Sequence, residues 1–459
     1  MSVVSAIFWG IVVLSLLVFI HEGGHYLASR ACGVRVTEFY LGMPCRIKWF
    51  HKSRDHGTEL GVTPILLGGY TRICGMEPLS DDLLASALMC VQRHGRVSVH
   101  DLAEEIGCDE ERAYGLMAQL TDWASIRPYY NPELGEKPGQ RDWPAAFETL
   151  RRDANMLTEY DHGHDFTLAG TTDYGAPRVP ETSADDFLAS ERSRTYLGKG
   201  FWQRLFMLAA GPVVNLALAF VIVVASVMAV GVTSATDPNT LAEVEEGSYA
   251  EAAGLQAGDT IVAINDTQTD SYTDIVNAIS PLLESGTDFQ VTYERDGQQY
   301  VTTVDLPDGE SVDMLGIGIQ REYYTIQLDF PQAVQYALSY GKLVATYAVR
   351  LIMPQYTMDT LNQSSSIVGV SVMASEAASM GALELLLFIG AISMSLGFMN
   401  LLPIPPLDGG KILIEIIQLI ARRDLSLRAQ TILTYAGLAF FVFVFVVVLK
   451  NDISRFVIG

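Results

Sequence analysis

The stretch FIHEGGHYLASR, residues 19–30, decides how this chain is read. It closes a run, residues 3–20, that carries no charge. His21 and His25 stand four positions apart, so on a helix both imidazoles project from one face a turn apart, with Glu22 beside them. Ionisable groups at membrane depth are costly unless they pair, ligate or face water, which makes the end of this run a functional site. The H-E-x-x-H arrangement presents two neutral nitrogens to zinc and holds a carboxylate where it can take a proton from water. Gly23 and Gly24, poor helix formers, leave room for a neighbouring segment to approach closely.

The remainder of the chain supports a membrane setting. With 459 residues, 49% of them hydrophobic, and a mean hydropathy of +0.23, it is too apolar for an ordinary soluble enzyme and too long for one domain. Four uncharged runs, residues 3–20, 206–232, 385–407 and 431–449, are each long enough to cross a hydrocarbon core of roughly 30 Å. The first has neither a preceding basic residue nor a clean A-x-A site, unlike a signal peptide. Lysine and arginine collect after the first run, before the second and between the third and fourth, which places those loops in the cytoplasm. Residues 233–329 hold only Arg295 and Arg321 among many acids, so this segment and both termini are expected outside, although Lys450 and Arg455 pull the other way. The net charge of −23 speaks against nucleic acid as a partner.

The fold class expected is a polytopic α-helical membrane protein with about four transmembrane helices. Residues 1–31 form the first of these, and 32–78 a membrane-associated β-hairpin or re-entrant loop turning at Gly68-Gly69. Residues 79–130 place helical stretches on either side of Gly107 and read as a cytoplasmic winged-helix-like insert. Its acidic balance disfavours DNA and leaves regulation or a cytoplasmic protein partner as its role. Residues 131–200 read as a linker with one helix at 143–157, and His162, His164 and Asp165 within it as an ordinary polar loop. A second transmembrane helix (201–232), an outer domain (233–329) and a segment at 330–382 follow. The amphipathic spacing of residues 330–353 suits the bilayer interface and packing on the outer domain equally. Residues 383–420 form the third transmembrane helix, and 421–459 the fourth with its tail.

Catalytic zinc takes three protein ligands and keeps one open position. The charge-derived topology runs the first and third spans in the same direction, so Asp408 of FMNLLPIPPLDGGKIL reaches the depth of His21 and His25. Pro403, Pro405 and Pro406 break the helix there, and non-helical backbone is tolerated in a membrane only when buried in protein or lining a wet cavity.

Together these residues resemble the site-2 protease family of intramembrane zinc metalloproteases, peptidase family M50, in its bacterial RseP-like form. ELGVTPILLGGYTRI resembles the family's membrane re-entrant β-loop, FWQRLFMLAAGPVVNLALAF its second span, and SSSIVGVSVMASEAASMG the stretch leading into its third. Residues 249–279 resemble a PDZ domain, with its turn at Gly254, Leu255, Gly258 and Asp259. The resemblance implies one Zn2+ per chain held by His21, His25 and Asp408, with Glu22 as catalytic base. It assigns Asn215, Asn400, Gly68, Gly69 and Tyr70 to holding the substrate backbone. Its implied substrates are single-pass membrane proteins, such as an anti-sigma factor or a remnant signal peptide, cut in the lipid bilayer of the plasma membrane near the cytoplasmic face, with the PDZ-like extracytoplasmic α+β domain on the other side. The chain departs from the family plan in its single PDZ-like segment, in the insert, and at Lys411, where a histidine is common. A non-catalytic membrane scaffold using the PDZ-like and winged-helix-like modules is the rival reading, and the complete His21, Glu22, His25 and Asp408 set argues against it.

Overall fold

The computed structural model describes residues 2–77, 81–138, 140, 143–307, 309–423 and 425–454; Leu79, where the insert is expected to open, and Arg455 lie outside these. The chain divides into two compact units, residues 1–226 with 334–459, and residues 227–333.

The first unit opens with helix α1, Val3–Ala31, capped by the Ser2 hydroxyl and continuous through His21 and His25. Strands β1 (Val36–Leu41), β2 (Trp49–Lys52), β3 (Glu59–Val62) and β4 (Gly69–Ile73) follow, in the sheet order β2-β3-β1-β4. β3 runs parallel to β1 and β4 antiparallel to it. The hairpin expected across Gly68-Gly69 therefore does not form, because β1 lies between its two arms. A central strand bonded on both edges satisfies more backbone groups than an isolated two-stranded ribbon, which is marginal by itself.

The insert comprises α2 (Leu84–His94), β5 (Arg96–Ser98), α3 (Val99–Ile106), α4 (Glu110–Asp122), β6 (Ile126–Tyr129), β7 (Ala146–Thr149) and α5 (Ala184–Arg192). Ser98 and Asp109 cap α3 and α4, and Gly107 ends α3 in the left-handed conformation that glycine adopts without strain. Leu88, Leu102, Met117, Leu120 and Phe147 fill one core. Residues 143–157 are not the expected helix: β7 sits between β5 and β6, and Phe147 is buried beneath it. Nor are residues 131–200 a linker. Arg152, Asp153, Thr158, Asp161 and Glu191 are all buried, so apolar periodicity fades there because part of the interior is ionic. At its centre Arg35, just past α1 and 1% exposed, bonds Asp161 through Nε at 2.7 Å and Nη2 at 2.6 Å, and Glu191 through Nη1 at 2.6 Å. Arg152 joins at 3.0 Å from Glu191. Helix α6, Phe201–Val230, comes next.

The second unit contains β8 (Val232–Ala235), β9 (Glu243–Val244), α7 (Tyr249–Ala252), β10 (Thr260–Ile264), β11 (Thr267–Gln268), α8 (Tyr272–Ser285), β12 (Phe289–Arg295), β13 (Gln298–Val304), β14 (Ile317–Gly318) and β15 (Tyr323–Ile326). Its main sheet has the order β11-β10-β12-β13, with β14 paired to β9 and β15 to β8. Ile275 and Ile279 of α8 share a core with Phe289 and Val291 of β12.

The chain then builds α9 (Phe330–Ile352), α10 (Pro354–Gln363), α11 (Ile367–Met380), α12 (Ala382–Asn400), α13 (Asp408–Ala421) and α14 (Leu427–Ile453). Among the described residues, four helices are long and apolar enough to cross a membrane: α1, α6, α12 and the 428–453 stretch of α14. The third span stops at Asn400 and a separate helix begins at Asp408, so the stretch 383–420 is two helices. Three prolines between residues 403 and 406 remove backbone donors and disfavour helical conformation in the residues before them. Asp408 opens the second helix, a favourable place for a carboxylate at the positive end of the helix dipole.

Candidate active site

The site forms where α1 packs closely on α6. A Cβ added to Gly24 would lie 2.6 Å from the Ala210 carbonyl oxygen, and one on Gly211 would overlap His25 Nε2 and come within 2.9 Å of His21 Cε1. Gly24 is thus the glycine that close approach requires, whereas Gly23 meets only the Phe39 ring at 3.7 Å.

His25 Nδ1 lies 2.8 Å from the Met207 carbonyl oxygen of α6. A carbonyl can only accept, so Nδ1 carries the proton and the Nε2 lone pair of the neutral ring points into the site. There His21 Nε2 is 3.0 Å from Asp408 Oδ2, His25 Nε2 is 3.2 Å from the same oxygen, and the two Nε2 atoms are 3.2 Å apart. Ligand atoms at about 2.0–2.2 Å from a tetrahedral zinc stand roughly 3.3–3.5 Å from one another. Two imidazole nitrogens and a carboxylate oxygen at these separations fit such an ion, and all three residues are buried. Glu22, half-buried, follows His21 on the helix.

Asp408 is delivered by the D-G-G turn. Cβ atoms on Gly409 or Gly410 would collide with the backbone of Leu401, Leu402, Ile404 and Pro405, so only glycine lets α13 start this close to the turn. Lys411, three residues after buried Asp408, is exposed.

Gly68, Gly69 and Tyr70 fall at the start of β4, an edge strand lying along α1. A Cβ on Gly69 would approach Phe19 Cα at 3.5 Å and Glu22 Cγ at 3.8 Å, and Thr71 Oγ1 donates to the Glu22 carbonyl at 3.0 Å. The Tyr70 hydroxyl is committed to Glu38 at 2.6 Å, and Tyr70 pairs with Tyr40 of β1. Asn215, one helical turn beyond Gly211, is fully buried, and neither its amide nitrogen nor its amide oxygen has a partner among the described residues. Asn400 ends α12, a turn after Gly397, whose missing side chain lets that helix pack on Pro212 and Leu216 of α6.

The remaining sequence candidates take structural places. Gly254 and Gly258 have φ of +85° and +98°, Leu255 is buried in the core of the second unit, and Arg295 holds Asp259 at 2.6 and 2.8 Å. None of the four lines the groove of about 440 Å³ in that unit, which runs between α8 and residues 313–318 and carries Glu243, Glu245 and Asp313. His164 Nδ1 bonds the Asp161 carbonyl at 2.8 Å and Asp165 bonds Thr167, so the 162–165 loop gathers no ligand set. A further convergence, Cys90, His94 and Glu105, is occupied by Arg93, which pairs with Glu105 at 3.0 Å. Met207, Gly211 and Thr71 escape the sequence reading. Only Gly211-Pro212, a helix-breaking pair inside an apolar run, signals a special position.

A model of peptidase family M50 matches residues 9–444. The regulator of sigma-W protease RasP of Bacillus subtilis is 27% identical over 457 residues, covering 97% of this chain and 97% of the relative. The metalloprotease MmpA of Caulobacter vibrioides is 28% identical over 472 residues, covering 97% and 94%, and the probable protease eep of Enterococcus faecalis 25% identical over 453 residues, covering 97% and 98%.

Proposed function

Because the chain belongs to peptidase family M50, and is thus a membrane zinc metalloprotease of the site-2 type, we propose that it hydrolyses peptide bonds within or next to transmembrane segments of single-pass membrane proteins. The observation that carries this reading is the convergence of His21, His25 and Asp408 beside Glu22 and the edge strand β4.

His21, His25 and Asp408 hold the zinc, with the Met207 carbonyl fixing the His25 ring. Zinc, when bound, acidifies a water and polarises the scissile carbonyl. Glu22 accepts the proton of the attacking water and returns it to the leaving amine nitrogen. A substrate span enters as a helix with its amides bonded internally, so it must unwind before it is cut. β4 offers the unwound segment a strand to pair with, and the unpartnered Asn215 amide, with Asn400, offers it a donor and an acceptor.

The active site lies near the cytoplasmic face of the plasma membrane and the second unit on the opposite side. That unit is PDZ-like, and the acidic lining of its groove repels a free terminal carboxylate. This favours a filter against bulky outer domains over a reader of newly cut carboxyl termini. The winged-helix-like insert serves as a regulatory or protein-binding module. The name of the Bacillus relative, regulator of sigma-W protease, favours a single-pass regulator of transcription such as an anti-sigma factor as substrate. Trapping on a Glu22→Gln variant tests this: co-purified spans should belong to single-pass proteins, and recovery of soluble proteins alone would overturn the reading.

A further inference from the structure

A cavity of about 350 Å³ opens between the start of α6 and the end of α13, far along α13 from Asp408. Phe201, Arg204, Glu415, Leu419, Arg422 and Arg423 line it. Three guanidinium groups thus face one carboxylate. That carboxylate is already engaged, by the Tyr196 hydroxyl at 3.0 Å and by Arg204 Nη2 at 3.2 Å. Arg204 Nε is buried and has no partner, and neither Arg422 nor Arg423 has an ion pair among the described residues. Three guanidinium groups around one carboxylate leave the cavity an excess of positive charge, with the positive end of the α6 dipole and the negative end of the α13 dipole both beside it.

Arg422 caps α13 with φ of +51°, in the left-handed region where glycine is the usual residue. The backbone tolerates strain there, and the side chain gained is a guanidinium on the cavity wall. Apolar side chains surround the charge: Trp202 is 76% and Ile420 77% exposed, with Leu419 also open. A soluble anion needs the arginines but not this apolar surround. A phospholipid needs both, because its charged head and its chains must be satisfied side by side.

We propose that this cavity seats the phosphodiester headgroup of an anionic phospholipid, whose chains cover Trp202, Leu419 and Ile420. Planar guanidinium groups match phosphate oxygens in bidentate geometry, and basic pockets between membrane helices suit such headgroups. The full chain is reconstituted in nanodiscs of equal phosphatidylcholine and phosphatidylglycerol, and the lipid retained on release is read by native mass spectrometry. The wild type should keep phosphatidylglycerol over phosphatidylcholine, and the preference should fall about fivefold for each arginine removed in Arg422→Gln/Arg423→Gln. Inorganic phosphate should not displace the lipid. Equal retention of both lipids, or an unchanged preference in the double variant, would overturn the proposal; displacement by phosphate would overturn it in favour of a free anion. Zinc content checks the fold of the variant, and Arg423→Gln alone replaces it should the double variant lose zinc.

Discussion

Gly211 sets how near α6 comes to the two histidines, and a single added carbon there overlaps His25 Nε2. Gly211→Ala should cost at least about tenfold in zinc affinity and in cleavage with helix content unchanged, as changes to groups that orient metal ligands do. Normal zinc content in that variant would refute the packing account. At this scale the sequence was informative where chemistry repeats along one helix turn: His21, Glu22 and His25 declare themselves by spacing. Asp408 followed from depth along a span, although the span breaks before it. Met207 acts through a carbonyl that every residue has, so no sequence signal could single it out.

Among the elements, the misread ones share a cause. β1 was invisible as the centre of a sheet because the pairing of β3 and β4 with it is non-local. Residues 131–200 looked like a linker because their interior partners are charges. Burial pushes the Glu191 carboxyl up, but Arg152 and Arg35 beside it outweigh that and hold it well below the usual carboxylate range. For Asp161 burial again raises and Arg35 and Arg194 lower, with the net shift downward. Carboxyls depressed in the folded state stabilise it fully above their unfolded values near 4, and that stabilisation drains away as pH falls through the folded values. Denaturant unfolding at stepped pH should therefore show the insert loosening from α1 below about pH 4, and an insert equally stable at pH 3 would contradict this. Arg35→Met should destabilise the same contact by about 3–5 kcal/mol by leaving buried carboxylates short of a partner, seen as new proteolytic cuts within residues 152–194. An uncut variant would show that Arg152 and Arg194 suffice.

For the whole molecule, membrane character and the number of spans were legible from hydropathy, since length and composition decide them. The second unit is a separate matter of function. Deleting residues 240–325 should allow substrates with intact outer domains to be cut, and if they remain uncut the filter role fails. Hydrolysis at this site turns on the proton of the attacking water. Full-length enzyme and Glu22→Gln are compared in nanodiscs with a single-pass substrate, scoring the cleavage position by mass and the zinc per chain by elemental analysis. The cut should fall within or next to the substrate span and be slowed about 10²–10⁴-fold in the variant while its zinc stays at one per chain. Cleavage at an unchanged rate by zinc-loaded Glu22→Gln would contradict it.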